Sequence, residues 1–448
     1  MIVPVNGLAR SLPADFNSYN FNVLRVNGQT DNPALVAGLR ALNPGSLRIP
    51  GGTLGEYWDW SRGGIRRGPY VGLPDPAPFS SEIQAVSGLT PVVVDRLLDA
   101  VGTPALFTAN MLTASLDENL ADIASFRGLG QPITRVELGN EEYFRLPNPS
   151  ARFPTARAYG DTARVWATRL RTDVPGARLA VIAPSPLRNT GISFDVWMNG
   201  LDAANVWSAV DAVAIHPYFD SSALAPLASP MASEAMIADI LAHDDSYLNL
   251  VVARLPHGKS IWITEWNMFE DEVNAVSGGS WLAGVANLAR AMNFMANERV
   301  DFSALHVALG NRQWSALTDA DGRALSYVDG RPVIVVGPPF ALTANGEALA
   351  LLGEATRGGV TTQRLILGTM AGRPLLGARL TDASGRVRVL LVNGTRDAVA
   401  VRLSGRAFQL VGRPDRGTVA TGTLSRASFD IAGERLELPA FSITLVYQ

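Results

Sequence analysis

Apolar runs rich in β-branched and aromatic residues alternate with segments of helical period from about residue 15 to residue 357. Eight runs read as strands: Phe16–Leu24, Ser46–Ile49, Pro104–Leu112, Ile133–Leu138, Arg178–Ala183, Val210–Ile215, Ser260–Thr264 and Phe302–Leu309. Helical periodicity fills the intervals at Pro33–Leu42, Pro91–Val101, Leu116–Phe126, Ala156–Thr172, Ser233–Leu255, Trp281–Asn297 and Ala341–Ala355. Repeated strand–helix units imply parallel pairing with right-handed crossovers. Eight of them in about 340 residues fit an α/β fold of the (β/α)8 TIM-barrel type, with enlarged loops, better than an open sheet. The Gly- and Pro-rich stretch Pro69–Pro78 reads as one such loop. No glycine-rich nucleotide-binding motif follows a strand, so doubly wound nucleotide folds lose support.

After about residue 358 the helical signal stops. Short apolar runs at Arg364–Gly368, Val387–Val392, Ala398–Leu403 and Phe441–Val446 read as a C-terminal antiparallel β-sandwich. The expected division is a barrel over residues 13–357 and a sandwich over 358–448, to which residues 1–12 could add an edge strand. With no low-complexity linker between them, the two units are expected to pack together.

Composition narrows the chemistry. The absence of cysteine excludes a disulfide framework, a thiolate metal site and a cysteine nucleophile. The 38 basic and 41 acidic residues nearly balance, and Lys259 is the only lysine. Arginine spread evenly along a near-neutral chain is no nucleic-acid footprint, and Schiff-base chemistry could rest on Lys259 alone. No run of about 18 apolar residues predicts a membrane span. The start, MIVPVNGLARSLP, lacks the regions of a signal peptide. As it stands the chain reads as cytoplasmic, or as secreted or periplasmic if a signal was trimmed; its oligomeric state is not legible. The four histidines show no metal-ligand spacing, so neither metal nor cofactor is expected.

In a parallel barrel the active site lies at the C-terminal strand ends. Here the second strand ends in Leu47-Arg48-Ile49-Pro50-Gly51-Gly52 and the fourth in Glu137-Leu138-Gly139-Asn140-Glu141-Glu142. The sixth ends in His216-Pro217-Tyr218 and the seventh in Thr264-Glu265-Trp266-Asn267. The eighth carries His306 and is followed by Asn311 and Trp314. Glu141 and Glu265 therefore face each other across the barrel mouth. Reaching inward, their carboxyls could come about 5–5.5 Å apart, the spacing of retaining glycosidases. Such chemistry needs one carboxyl protonated and the other ionised, and Asn140, Arg48, His216 and Tyr218 are suited to holding those states apart.

Asn140-Glu141 and Glu265 resemble the signature of glycoside hydrolase clan A. Leu47 to Thr53 and Glu137 to Glu141 resemble family 79, the β-glucuronidase and heparanase group. Thr264 to Asn267 and His216 to Tyr218 are also similar to family 51, the arabinofuranosidases. The resemblance implies that Glu141 is the general acid/base and Glu265 the nucleophile. It further implies that Asn140 binds the sugar 2-hydroxyl, that Arg48 keeps Glu265 ionised, and that Tyr218 or His216 orients it. Glu142 departs from the family pattern, which usually has Pro there; a second acid could raise the pKa of its neighbour or point into solvent.

The function expected is a retaining glycoside hydrolase acting on an oligosaccharide or glycoside, β-glucuronidase-like and exo-acting. The alternatives are an α-L-arabinofuranosidase-like or other neutral-sugar glycosidase, a transglycosidase, or a non-catalytic carbohydrate-binding protein on a hydrolase barrel. Trp58, Trp60, Trp266 and Trp314 are candidates to stack on sugar faces, whereas Trp281 opens an apolar helix and reads as core. Arg62, Arg66 and Arg67 could bind an acidic sugar, although a solvated loop fits them better. Asp15, Asn17, Asn20, Asn22 and Asn110 could contact hydroxyls.

Overall fold

A computed structural model describes residue 3 and residues 5–188, 190–220, 230–269, 278–310, 312–328, 331–367, 373–419 and 424–448. Asn311 lies outside the described residues. The eight strands that close the barrel are Asn17–Asn20, Leu47–Ile49, Ala105–Ala109, Arg135–Leu138, Arg178–Ile182, Ala212–Ile215, Ser260–Trp266 and Val300–Leu305. They follow chain order around the ring, all pairings are parallel, and the eighth closes on the first. Each falls within or overlaps a run expected from the pattern. The first is shorter than its apolar run because Asn22 turns the chain, its side chain accepting the Leu24 N–H at 3.1 Å to start a 3-10 turn. The seventh extends two residues further, through Trp266, which settles the facing of everything after Thr264.

Helix boundaries obey local chemistry. Pro91–Val101 begins on a proline and ends at Gly102, whose φ of 79° is left-handed. Leu116–Gly128 starts with a capping box between Ser115 and Glu118. Several elements have no counterpart in the expected set, among them the short helices Ser81–Ala85 and Pro147–Arg152, and two are larger. One is the helix Phe194–Ala203, and the other is the hairpin of Arg323–Val328 and Arg331–Val336 before the last barrel helix, Ala344–Thr356.

The C-terminal unit is a seven-stranded antiparallel sheet covered by a two-stranded one. Leu375–Asp382, Arg406–Val411, Ser425–Asp430 and Arg435–Leu438 join the runs read from the sequence. Val5–Leu12 pairs antiparallel with Val360–Ile366 at the sheet edge. Strand alternation gives the large sheet two apolar faces. On Val387–Asn393, Val389 and Leu391 pack with Val401 and Leu436 of the small sheet, while Leu390 and Val392 join the barrel's hydrophobic core.

The helix Trp281–Ala296 lies between barrel and sheet and is buried along nearly its whole length. The Trp281 indole N–H donates to the Phe441 carbonyl at 2.7 Å, joining the two units inside the core. Among the described residues no helix is long and apolar enough to cross a membrane.

Candidate active site

The seventh strand presents Glu265 to the barrel axis, and Trp266, one residue on, to the surrounding helices. The fourth strand ends at Leu138, and Gly139 and Glu141, with φ of 90° and 59°, turn the chain so that Glu141 faces the same space. One carboxylate oxygen of Glu141, one of Glu265 and a ring nitrogen of His216 all lie within 4.8 Å of one another. They stand in the wall of a cavity of about 420 Å³ at the C-terminal strand ends, with Thr53, Tyr143, Arg188, Tyr218, His306 and Trp314 among the other residues lining it.

Arg48 organises the floor. Buried completely, it donates from Nε to Glu137 at 2.5 Å, from Nη1 to Glu265 Oε1 at 2.6 Å and from Nη2 to Asn140 Oδ1 at 2.7 Å. One planar guanidinium thus holds three acceptors from two strands in fixed relation. Tyr218 donates its hydroxyl to the other oxygen, Glu265 Oε2, at 2.7 Å. Gly52 explains why the second strand must end in glycines: a Cβ there would sit 3.3 Å from Glu265 Oε1, on a backbone with φ of 48°.

Burial alone would push the Glu265 carboxyl up. The neighbouring His216 and His306, the Arg48 guanidinium and the Tyr218 hydroxyl outweigh it and hold Glu265 well below the ordinary carboxylate range. Glu265 is therefore an anion throughout the neutral range.

Glu141 has different company. His216 Nδ1 lies 2.8 Å from Glu141 Oε1, and Tyr143 donates to the same oxygen at 3.2 Å. Thr264 donates its hydroxyl to the buried Glu137 at 2.7 Å, so its oxygen is left to accept from His216 Nε2 at 3.1 Å. That direction places a hydrogen on Nε2 and leaves Nδ1 to face Glu141. Burial opposes a charge on His216, but Glu265 and Glu141 outweigh it and raise its pKa. Burial lowers His306, whose Nδ1 lies 3.5 Å from Glu265 Oε2.

The same three groups are the set among the described residues that could offer clustered ligand atoms to a metal ion. Every oxygen or nitrogen concerned already has a protein partner: Arg48 and Tyr218 on Glu265, Tyr143 and His216 on Glu141.

The structure thus brings together Glu141, Glu265, Asn140, Arg48, His216, Tyr218 and Trp314. It removes three tryptophans from the expected binding surface. Trp58 and Trp60 are 2% and 3% exposed; their rings meet edge to face, and Trp60 packs on Phe107 and Phe126 in the core. Trp266 is 1% exposed, beneath the Arg290 guanidinium and edge-on to Phe294. In each case a large apolar ring is worth more in the core than at a wet rim.

The early polar residues are structural as well. Asp15 pairs with Arg135, Asn17 donates to the Leu349 carbonyl, Asn20 to Thr264 and Asn110 to Trp58. Arg62 donates to the carbonyls of Ile65 and Gln84, and Arg66 pairs with Glu118.

Several residues that take part in the site had no role assigned from the sequence, although Glu137, Thr264 and Asn267 lie within the motifs and His306 in the run read as the eighth strand. Tyr143, Glu137, Thr264 and His306 contact the two carboxyls directly or through one partner. Asn267 ties the rim together, donating to the carbonyls of His306 at 2.5 Å and Trp314 at 3.1 Å. Arg290, paired with Asp244, donates to the Pro217 carbonyl and fixes the turn between His216 and Tyr218.

No protein-family model and no curated protein sequence matches this chain. Solved structures do. A family 51 α-L-arabinofuranosidase from Bifidobacterium longum superposes with a TM-score of 0.71 at 13% identity, covering 100% of this chain and 98% of that one. The family 51 arabinofuranosidase of Xanthomonas axonopodis pv. citri gives 0.68 at 15% identity, with 100% and 99% covered. A 4-O-α-L-rhamnosyl-β-D-glucuronidase from Fusarium oxysporum 12S gives 0.64 at 17% identity, with both chains covered completely. At such identities the likeness is one of fold: this chain is a (β/α)8 barrel with an antiparallel β-sandwich, the fold of those glycoside hydrolases.

Proposed function

We propose that the protein is a retaining glycoside hydrolase that removes a terminal neutral sugar, of α-L-arabinofuranosidase-like type, by double displacement. The observation that carries this reading is the approach of Glu141 and Glu265 oxygens to within 4.8 Å. That is the short separation used for direct attack, whereas inverting enzymes keep their carboxyls about 6.5–9.5 Å apart to admit a water. The two carboxyls also differ in their surroundings, Glu265 anchored to the Arg48 guanidinium and Glu141 set against an imidazole whose pKa is raised.

In the first step an oxygen of Glu265 attacks the anomeric carbon. The bond to the leaving oxygen breaks, and that oxygen takes the proton held between Glu141 and His216. In the second step Glu141, now a base, removes a proton from water. The water oxygen bonds to the anomeric carbon, and Glu265 leaves as the carboxylate. With its oxygen committed to Arg48, Asn140 keeps its amide nitrogen free to donate to a sugar hydroxyl. The cavity has room for about one sugar unit, with Trp314 on its wall, which supports the exo reading.

A β-glucuronidase-like reading has one observation in its favour. The Arg188 guanidinium stands on the cavity wall, 4.8 Å over the Phe269 ring, with no acidic partner among the described residues. A substrate carboxylate would supply one. Assay of the wild type, Glu265→Ala and Glu141→Ala on aryl α-L-arabinofuranosides, β-D-glucuronides and other aryl glycosides tests both. Full turnover by Glu265→Ala on the best substrate would remove the nucleophile assignment, and the preferred sugar decides between the readings.

A further inference from the structure

Five glutamates, Glu56, Glu137, Glu141, Glu142 and Glu265, crowd around one arginine, Arg48, at the barrel mouth. Arg48 is committed to Glu137, Glu265 and Asn140, while His216 and His306 face Glu141 and Glu265. Among the described residues no cation pairs with Glu56 or Glu142. Double displacement uses neither of them.

Glu142 follows Glu141 in the chain but does not join the cavity wall, and it is only 2% exposed. Its carboxyl folds back across Gly139: a Cβ built there would stand 2.0 Å from Glu142 Oε1. The side chain thus fills the inside of the same turn whose left-handed residues, Gly139 and Glu141, aim the acid/base. Neither Glu142 oxygen has a hydrogen-bond partner, and neither has Glu56 Oε1. The groups that face Glu142 are Glu56 from the 3-10 helix Gly52–Tyr57, Tyr159 from the helix Ala156–Asp173, and Glu137 and Glu141 from its own strand and turn. All are neutral or negative. A buried carboxylate in that company has no cation to stabilise its charge and only backbone N–H groups to offset it in part, whereas the neutral acid is tolerated.

The geometry points to a positioning role for Glu142, one that rests on the functional reading above: as a neutral carboxylic acid it holds the Gly139–Glu142 turn, and release of its proton to solvent withdraws Glu141 from its place beside His216. Burial pushes Glu142 up to about 8; backbone N–H groups at Glu142 and Asn140 offset part of this without completing a hydrogen bond, and Glu137 and Glu141 add to it. Burial and then the Glu142 charge likewise raise Glu56 well above its ordinary value. An acid raised by folding takes up a proton when the chain folds. Wild-type stability should therefore fall as pH rises from the ordinary carboxylate range to about 8, and this contribution should level off beyond it.

The test compares wild type with Glu142→Gln, which has the same shape and cannot ionise. Tm is followed from pH 5 to 9, and kcat/KM is measured over the same range on whichever aryl glycoside is turned over. The expected result is a Tm difference that moves by several degrees in favour of Glu142→Gln between pH 5 and 8. Activity of Glu142→Gln should also persist to more alkaline pH than that of the wild type. Should Glu142→Gln fail to fold, Glu56→Gln carries the test with the opposite sign. Its amide can donate to an ionised Glu142, so the alkaline limb should move to lower pH. Parallel Tm curves overturn the neutral-acid assignment, and an alkaline limb that stays in place while the Tm curves diverge overturns the positioning role. Absence of turnover on every glycoside would sink the functional reading alone, because the Tm comparison needs no substrate.

Discussion

His216 Nδ1 lies 2.8 Å from Glu141 Oε1, and the hydroxyl of Thr264 fixes which end of the imidazole carries its hydrogen. Glu141 is thus joined, through His216 and Thr264, to Glu137, and through Glu137 to the Arg48 guanidinium that anchors Glu265. Proton and charge are distributed by one connected network, which makes the two carboxyls unequal.

Replacing His216 with Ala removes the imidazole that stands 2.8 Å from Glu141 Oε1, the position from which it can relay a proton to the leaving group. General acid assistance contributes about 10²–10⁴-fold where it is needed, so kcat/KM should fall by about 10-fold or more on substrates with poor leaving groups. With 4-nitrophenyl or more acidic leaving groups the loss should shrink. A leaving-group series on wild type and variant measures this, and an equal loss across the series would detach His216 from proton transfer.

The Arg48 contacts predict a shift of the acid limb. Glu265 is held below the ordinary carboxylate range, so its contribution to stability is present above that range and is lost as pH falls through its own, lower pKa. In Arg48→Lys the charge survives, but an ammonium cannot serve the three acceptors with the geometry of a guanidinium. The acid limb of kcat/KM should move to higher pH. Arg48→Met leaves Glu137 and Glu265 buried without their cation and should cost about 3–5 kcal/mol by denaturant unfolding.

Two tryptophans once equal as candidates should separate by experiment. Trp266→Ala empties a core site under Arg290 and should destabilise by about 3–5 kcal/mol. Trp314→Ala, on the cavity wall, should raise KM with a much smaller change in Tm. A weakened KM with wild-type stability in Trp266→Ala would contradict its placement.

Arg188→Ala distinguishes the sugar classes. If the substrate bears a carboxylate, losing a charge-assisted contact worth about 1.5–3 kcal/mol should cost about 10- to 100-fold in kcat/KM. On a neutral arabinofuranoside the change should stay within a few-fold. Kinetics on one substrate of each class give the answer.

The sequence alone determined the periodic part of this protein. Alternation of apolar strands with helical segments is written locally, so eight barrel strands and the change to antiparallel structure after about residue 358 were legible. So were the strand-end motifs that hold Arg48, Glu141, His216 and Glu265, because a parallel barrel brings every such end to one face. Strands such as Ser425–Asp430 escaped notice because they are exposed along their length and have no alternation to read. Tertiary structure alone decided which polar and aromatic residues serve the site. Trp266 and Glu265 are neighbours in the chain, yet one strand step sends the first into the core and the second into the cavity. Glu137, Thr264 and Glu142 lie inside the strand-end motifs, but no role was legible for Glu137 or Thr264 and none was settled for Glu142; their roles come from a packed interior in which a charge must find a partner or give up its ionisation. That requirement acts between residues far apart in sequence, and only the closed barrel brings them within reach.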